Sequence, residues 1–163
     1  TAGLHLTESL FATIQERGID IARVTLHVGL GTFRPISTTT LSGHSMHSEW
    51  CEIDEAAVRT IRSARERGSR VVAVGTTSVR TLETAAADGE LKPWRGETSI
   101  FIRPPYRFRC VDALLTNFHL PRSTLFVLVS AMAGLERIQA AYAEAIRERY
   151  RFYSYGDAML ILP

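Results

Sequence analysis

The chain has 163 residues, of which 45% are hydrophobic and 22% charged, and a formal net charge of +2. That balance fits one globular domain with a real core and excludes a disordered or fibrous chain. No run approaches the roughly 18 apolar residues of a membrane span and no signal-peptide pattern is legible, so no membrane partner is expected and the cytoplasm is the expected compartment.

Arginine carries nearly all the positive charge, because Lys92 is the only lysine. Its planar fork suits carboxylates, phosphates and stacked bases, although a GC-rich genome produces the same bias. Cys51 and Cys110 stand far apart and read as reduced core residues, not as a disulfide or a zinc site.

Thr7 caps a predicted helix from Glu8 to Arg17, which Gly18 stops. Leu6, Leu10, Phe11 and Ile14 form its apolar stripe. Ile21 to Val28 reads as a strand, with Val24, Leu26 and Val28 on one face. Gly29 to Pro35 is loop, and Ser37 to Ser45 is a polar stretch, mobile or ordered by a partner. A short strand over Trp50 to Ile53 precedes a helix from Glu55 to Arg67, capped by Asp54 and ended by Gly68. Val71 to Val74 has the continuous apolar character of a buried parallel strand. It feeds a helix running to about Ala87.

Gly89 to Gly96 is predicted as loop, Ser99 to Ile102 as strand, and Arg103 to Tyr106 as turn. Val111 to Pro121 forms the next strand. An apolar helix then runs from Pro121-Arg122-Ser123 through Ala133. Gly134 breaks it, a second helix covers Leu135 to Tyr150, and Ala158 to Leu162 is the last strand. Alternation of this kind predicts a single α/β domain over residues 1–163, a mainly parallel sheet flanked by helices.

Four segments carry polar groups that a plain framework does not need. The first is Val111-Asp112-Ala113-Leu114-Leu115-Thr116-Asn117-Phe118-His119-Leu120-Pro121, where Asp, Thr, Asn and His interrupt a hydrophobic strand. Left unpaired in a core, each would cost roughly 1–3 kcal/mol, so they pair with one another or face a ligand cavity. On an extended chain Asn117 and His119 share one side, with Thr116 and Phe118 opposite. Ligands of α/β folds gather at such strand ends.

The second is Gly75-Thr76-Thr77-Ser78-Val79-Arg80, a strand-to-helix turn rich in hydroxyls. Amide groups at a helix start favour anions, and Arg80 adds a fork. It is neither a Walker loop nor a GxGxxG fingerprint, and an ordinary capped turn is the plain alternative. The third is His44-Ser45-Met46-His47-Ser48-Glu49. His47 and Glu49 share a face of an extended chain and His44 falls on the other. Proton transfer by the His47/Glu49 pair is therefore favoured over a metal site, with surface loop polarity as the plain alternative. The fourth, Tyr150 to Asp157, interleaves aromatics with Arg151, as a base-stacking surface or an aromatic packing edge would.

Taken together, these segments resemble one family, the S-adenosylmethionine:tRNA ribosyltransferase-isomerases of queuosine synthesis. The motifs are Thr1 to His5 with Thr7-Glu8; Leu26 to Pro35; His44 with Met46 to Glu49; Val74 to Glu83; Val111 to Leu125; and Tyr155 to Ile161. Arg103-Pro104-Pro105-Tyr106 departs from the Pro-Gly-Tyr of the family. The start at Thr1, without methionine, and the span of the motifs read as the C-terminal half of a family member. The inserted β-barrel domain is expected to be absent and the N-terminal half is a possible partner.

The resemblance implies transfer and isomerisation of the ribosyl part of S-adenosylmethionine onto 7-aminomethyl-7-deazaguanine at the tRNA wobble position. Epoxyqueuosine is formed, and adenine and methionine are released. S-adenosylmethionine is substrate; no prosthetic group and no metal are implied. The sulfonium acidifies the adjacent ribose carbon, adenine leaves only when protonated or hydrogen-bonded, and the attacking amine must be neutral. The reaction therefore needs an acid, a base and exclusion of water.

The catalytic residues expected are His47 with Glu49 for one proton transfer and His119, oriented by Asn117, for the other, with acid and base unassigned. Thr76, Thr77, Ser78 and Arg80, helped by Arg34, are expected to bind the methionine carboxylate or a tRNA phosphate. His44, Thr116 and Asp157 are the remaining expected substrate contacts. A non-catalytic RNA- or nucleotide-binding fragment is the alternative. A Rossmann-type methyltransferase is disfavoured by the missing glycine-rich first loop.

Overall fold

The computed structural model describes residues 1–29, 31 and 35–162. Helix α1 covers Glu8–Glu16, and the Thr7 hydroxyl accepts from the Leu10 amide at its start. The same device opens α2 (Glu55–Glu66), where Asp54 accepts from Ala57, and α4 (Thr124–Ala133), where Ser123 accepts from Phe126. Helix α3 is Thr76–Ala85 and α5 is Leu135–Arg147. Gly134, at φ 89°, separates α4 from α5 and turns the chain by 114°. Among the described residues no single helix is long and apolar enough to cross a membrane.

Among the described residues six strands form two three-stranded sheets. In the first, β1 (Thr25–Leu26) pairs with β2 (Glu49–Ile53), and β2 with β4 (Trp94–Thr98), all antiparallel. In the second, β5 (Ala113–Asn117) lies between β3 (Val72–Val74), to which it is parallel, and β6 (Ala158–Ile161), to which it is antiparallel. The α/β class holds, but the mainly parallel pairing does not: three of the four pairs are antiparallel. Strand β6 returns beside β5 after the α4–α5 hairpin, and β2 and β4 meet across α2 and α3, so only β3 and β5 keep a parallel crossover.

Three strand expectations also shift. Val72 is half exposed because β3 is an edge strand of its sheet. The first strand shrinks to Thr25–Leu26. Trp94 to Gly96, expected in a loop, is strand, whereas Ser99 to Ile102 is not. Pairing with β2 places Trp94 opposite Ile53 and Gly96 opposite Cys51, a long-range choice that local propensity does not reveal.

Helix α3 touches both sheets. Its Val79 and Leu82 join Ile53, Val58, Ile102, Leu114, Val129 and Ile138 in one core. Cys51 and Cys110 are free thiols buried in the protein interior. Contact on both sides leaves α3 with little solvent face, so its polar side chains are buried and need partners. Arg80 pairs with Glu49 of the first sheet. Thr81 bonds back to the Thr77 carbonyl. Glu83, fully buried, accepts from the Tyr106 hydroxyl and the amides of Arg109, Cys110 and Val111, fixing the segment that leads into β5.

Candidate functional site

The end of β5 and the start of α3 open onto one cavity of about 200 Å³. Thr116, Asn117, Phe118 and His119 form one wall, Gly75, Thr76 and Thr77 a second. Thr1 and Ala2, Pro121, Ser123 and Leu125, and Tyr153 and Ser154 complete it. The two walls are adjacent because β3 and β5 are parallel and the Gly75 amide donates to the Leu115 carbonyl at 2.8 Å. Gly75 caps α3 at φ 90°, a conformation an L side chain rarely adopts. Having no side chain, it leaves the first amides of α3 uncapped.

His119 is partly buried, and desolvation pulls its pKa down from 6.5 to about 4. Its Nε2 is 3.1 Å from the Thr116 hydroxyl, and its backbone amide donates to the Tyr142 hydroxyl at 2.8 Å. Burial pushes the Tyr142 phenol up to about 12, so it remains protonated. Edge contacts from Tyr142 to Phe118 and Phe126 hold this support in place.

Asn117 does not orient His119 as expected. Strand β5 ends at Asn117, so alternation stops there and Thr116 reaches His119 instead. The Asn117 amide nitrogen donates to the carbonyls of Tyr153, at 3.0 Å, and Gly156. Its Oδ1 is buried without a hydrogen-bond partner. A buried acceptor left open beside a cavity fits a ligand donor. Asp112, in the same polar segment, has a purely internal partner, the Val71 amide at 2.7 Å.

A stability consequence follows for His119. The unfolded imidazole binds a proton below about pH 6.5, while the folded one resists until about pH 4. Between those values the unfolded state holds more protons, so stability falls as pH falls. The His119 contribution is complete above pH 6.5 and lost by pH 4, a difference of up to about 3 kcal/mol from the shift alone. Urea unfolding at pH 7 and pH 4.5 should show a smaller loss in His119→Asn than in the wild type. Equal losses would remove His119 as the cause.

The other expected residues fall into different places. Thr76 and Thr77 line the cavity, but the Ser78 hydroxyl turns back to the Val74 carbonyl at 2.8 Å. Arg80 points away from the helix start and is buried against Glu49. Glu49 in turn accepts from the Gly29 amide at 2.7 Å. The expected His47/Glu49 pairing is thus replaced, because β2 begins only at Glu49 and carries its side chain inward. His44 and His47, expected on opposite faces, line one small pocket with Gly31, Met46 and Thr124. That pocket adjoins the cavity through the first turn of α4, where Thr124 sits between Ser123 and Leu125.

Asp157 is drawn to Arg151: its carboxylate accepts from the Arg151 amide at 2.7 Å and pairs with the guanidinium, which holds the carboxyl below its usual range. Arg34 lies outside the described residues. Among the described residues no group of three His, Cys, Asp or Glu side chains converges as a metal ligand set.

Three contributors were not among the expected site residues. Tyr153 and Ser154 enter the cavity wall through a turn whose path depends on Asn117. Glu83 supports β5 from beneath; the only available signal was a carboxylate on the inward face of an otherwise apolar helix.

Comparison with known proteins adds the missing context. The queuosine biosynthesis protein family model matches residues 1–161. This chain belongs to that family. It is 59% identical, over 99% of its length, to an S-adenosylmethionine:tRNA ribosyltransferase-isomerase of Bradyrhizobium sp., and 55% identical, over its full length, to one of Acaryochloris marina. It spans only 44% of either relative. The crystal structure of an S-adenosylmethionine tRNA ribosyltransferase from Thermotoga maritima superposes with a TM-score of 0.84 at 49% identity, covering 99% of this chain and 52% of that one. Membership and fold therefore agree with the resemblance carried by the motifs.

Proposed function

We propose that this chain is the part of an S-adenosylmethionine:tRNA ribosyltransferase-isomerase that holds S-adenosylmethionine and moves a proton in the transfer of its ribosyl group to tRNA. The observation that carries the reading is the cavity itself. A neutral imidazole, an open amide oxygen and the uncapped first turn of a helix face one space. That combination suits a zwitterionic nucleoside: the carboxylate meets the start of α3, and an exocyclic amine donates to Asn117 Oδ1.

His119 then works as a neutral group at pH 7. With Nε2 engaged by Thr116, Nδ1 is the nitrogen left for substrate. It accepts a proton from the carbon made acidic by the sulfonium, or donates N–H to the departing adenine, according to its tautomer. In this reading His47 or His44, which line the small pocket beside Thr124, makes the second proton transfer. The acceptor in this reading is 7-aminomethyl-7-deazaguanine at the tRNA wobble position, and the product is epoxyqueuosine. Buried Glu49 and Arg80 act as positioning residues for this region.

The test supplies S-adenosylmethionine and tRNA bearing 7-aminomethyl-7-deazaguanine to the protein that carries this chain. Adenine and methionine should appear together, in proportion to modified tRNA. Methyl transfer with release of S-adenosylhomocysteine would contradict the reading. A second reading, a binding fragment without turnover, draws on the 44% coverage of the relatives. It expects S-adenosylmethionine to bind with no adenine released.

A further inference from the structure

We propose that the turn over residues 150–157 is a stacking platform for an unpaired RNA base, with Tyr155 as its contact face and Tyr153 leading to the mouth of the cavity. The inference rests on the reading of RNA as substrate and names the surface that would hold it.

The aromatic residues of this turn separate into two sets. Phe152 packs on Phe118 and Tyr142, with ring centroids at 5.3 and 5.6 Å, and Tyr150 packs on Phe118 at 5.8 Å. Tyr155, in contrast, is 90% exposed, and Tyr153 is 49% exposed. The first set anchors the turn and the second is held outward.

The outward set is held rigidly. Asn117 donates to the Tyr153 and Gly156 carbonyls, the Tyr153 amide donates to Phe118, and the Gly156 amide donates to Tyr153. Asp157 closes the loop through its amide to the Arg151 carbonyl and its carboxylate to the Arg151 side chain. A Cβ at Gly156 would lie 2.4 Å from the Arg151 carbonyl oxygen, so the tight path admits only glycine. Tyr153 adopts φ 72°, a left-handed conformation disfavoured for a bulky residue. These bonds order the backbone on both sides of Tyr155 and leave its ring open to solvent. A ring on an already ordered backbone costs less entropy to immobilise when a base stacks on it.

Position and charge select the occupant. Tyr153 and Ser154 line the cavity, and Tyr155 follows them directly in the chain. Among the described residues neither Arg149, just before the turn, nor Arg122, next to Pro121 of the cavity wall, is ion-paired. Cations beside flat aromatic faces match a single-stranded RNA loop, with one base entering the cavity and its neighbour resting on Tyr155.

The experiment measures binding of a fluorescein-labelled anticodon stem-loop RNA, by anisotropy at fixed salt, to the protein that carries this chain. Tyr155→Ala should raise Kd about tenfold, the usual effect of losing one stacked base. Tyr155→Phe should stay within about twofold of the wild type because the ring is kept. Emission of Tyr155→Trp should be quenched by RNA beyond any quenching of the wild type. Tyr155→Ala binding as tightly as wild type overturns the platform. So does a lowered melting temperature with unchanged RNA affinity, which would place Tyr155 under another part of the protein. If the wild type binds no stem-loop, the tRNA reading falls and the platform with it; if only the variants fail to differ, the tRNA reading stands alone.

Discussion

His119→Ala should slow adenine release by roughly 10²–10⁴-fold, the range for loss of a positioned acid or base. The side chain lines the cavity wall, its Nε2 is tied to Thr116, and its amide is held by Tyr142. Losing the ring removes the group proposed to move the proton without touching the uncapped start of α3. S-adenosylmethionine affinity should therefore fall far less than turnover, giving a loss mainly in kcat. Thr116→Val should reproduce part of the loss by freeing the imidazole to rotate. His47→Ala is the companion variant, since His47 lies in the adjoining pocket and is itself exposed. Near-wild-type turnover in both histidine variants would refute the assignment.

The second large effect concerns stability. Arg80→Met should destabilise the fold by about 3 kcal/mol, because it takes the guanidinium away from the buried Glu49 carboxylate, which keeps other partners, the Gly29 amide among them. Such a loss is a large part of the roughly 5–15 kcal/mol that holds a domain together. Arg80 itself is imperfectly satisfied: Nε and Nη2 are buried with no hydrogen-bond partner. Removing both charges together therefore relieves desolvation as well as losing the pair. Arg80→Met/Glu49→Met should recover much of the stability lost by either single change. Urea unfolding of the four proteins decides it. Single variants within about 1 kcal/mol of wild type would mean that the pair is solvated and carries little.

These two residues also mark where sequence reasoning reached its limit. Thr7 and Asp54 were legible as caps and Gly18 and Gly134 as breaks, because capping is decided within one turn of chain. The polar stretch of Thr116, Asn117 and His119 was legible because buried hydrogen-bonding groups require a reason, and the three residues line one cavity. The partners were not legible. Arg80 looked like an anion contact because it follows a helix start, yet α3 lies against both sheets and turns it to Glu49. Ser78 bonds within its own helix, and Asp157 bonds Arg151, since nearby acceptors and donors win over a distant ligand. Strand β4 was missed because Trp94 to Thr98 becomes a strand only when β2 is beside it.

The cavity formed by β5, α3 and the turn at Tyr153 is the centre of the account. Its most direct test is NMR titration of this 18.2 kDa chain with S-adenosylmethionine. The account expects the Asn117 side-chain amide, the Thr76 and Thr77 backbone amides and the His119 ring to shift together, while the amides of Arg109 to Val111 beneath Glu83 stay still. Shifts centred elsewhere, with Asn117 and His119 unmoved at saturating ligand, would contradict it.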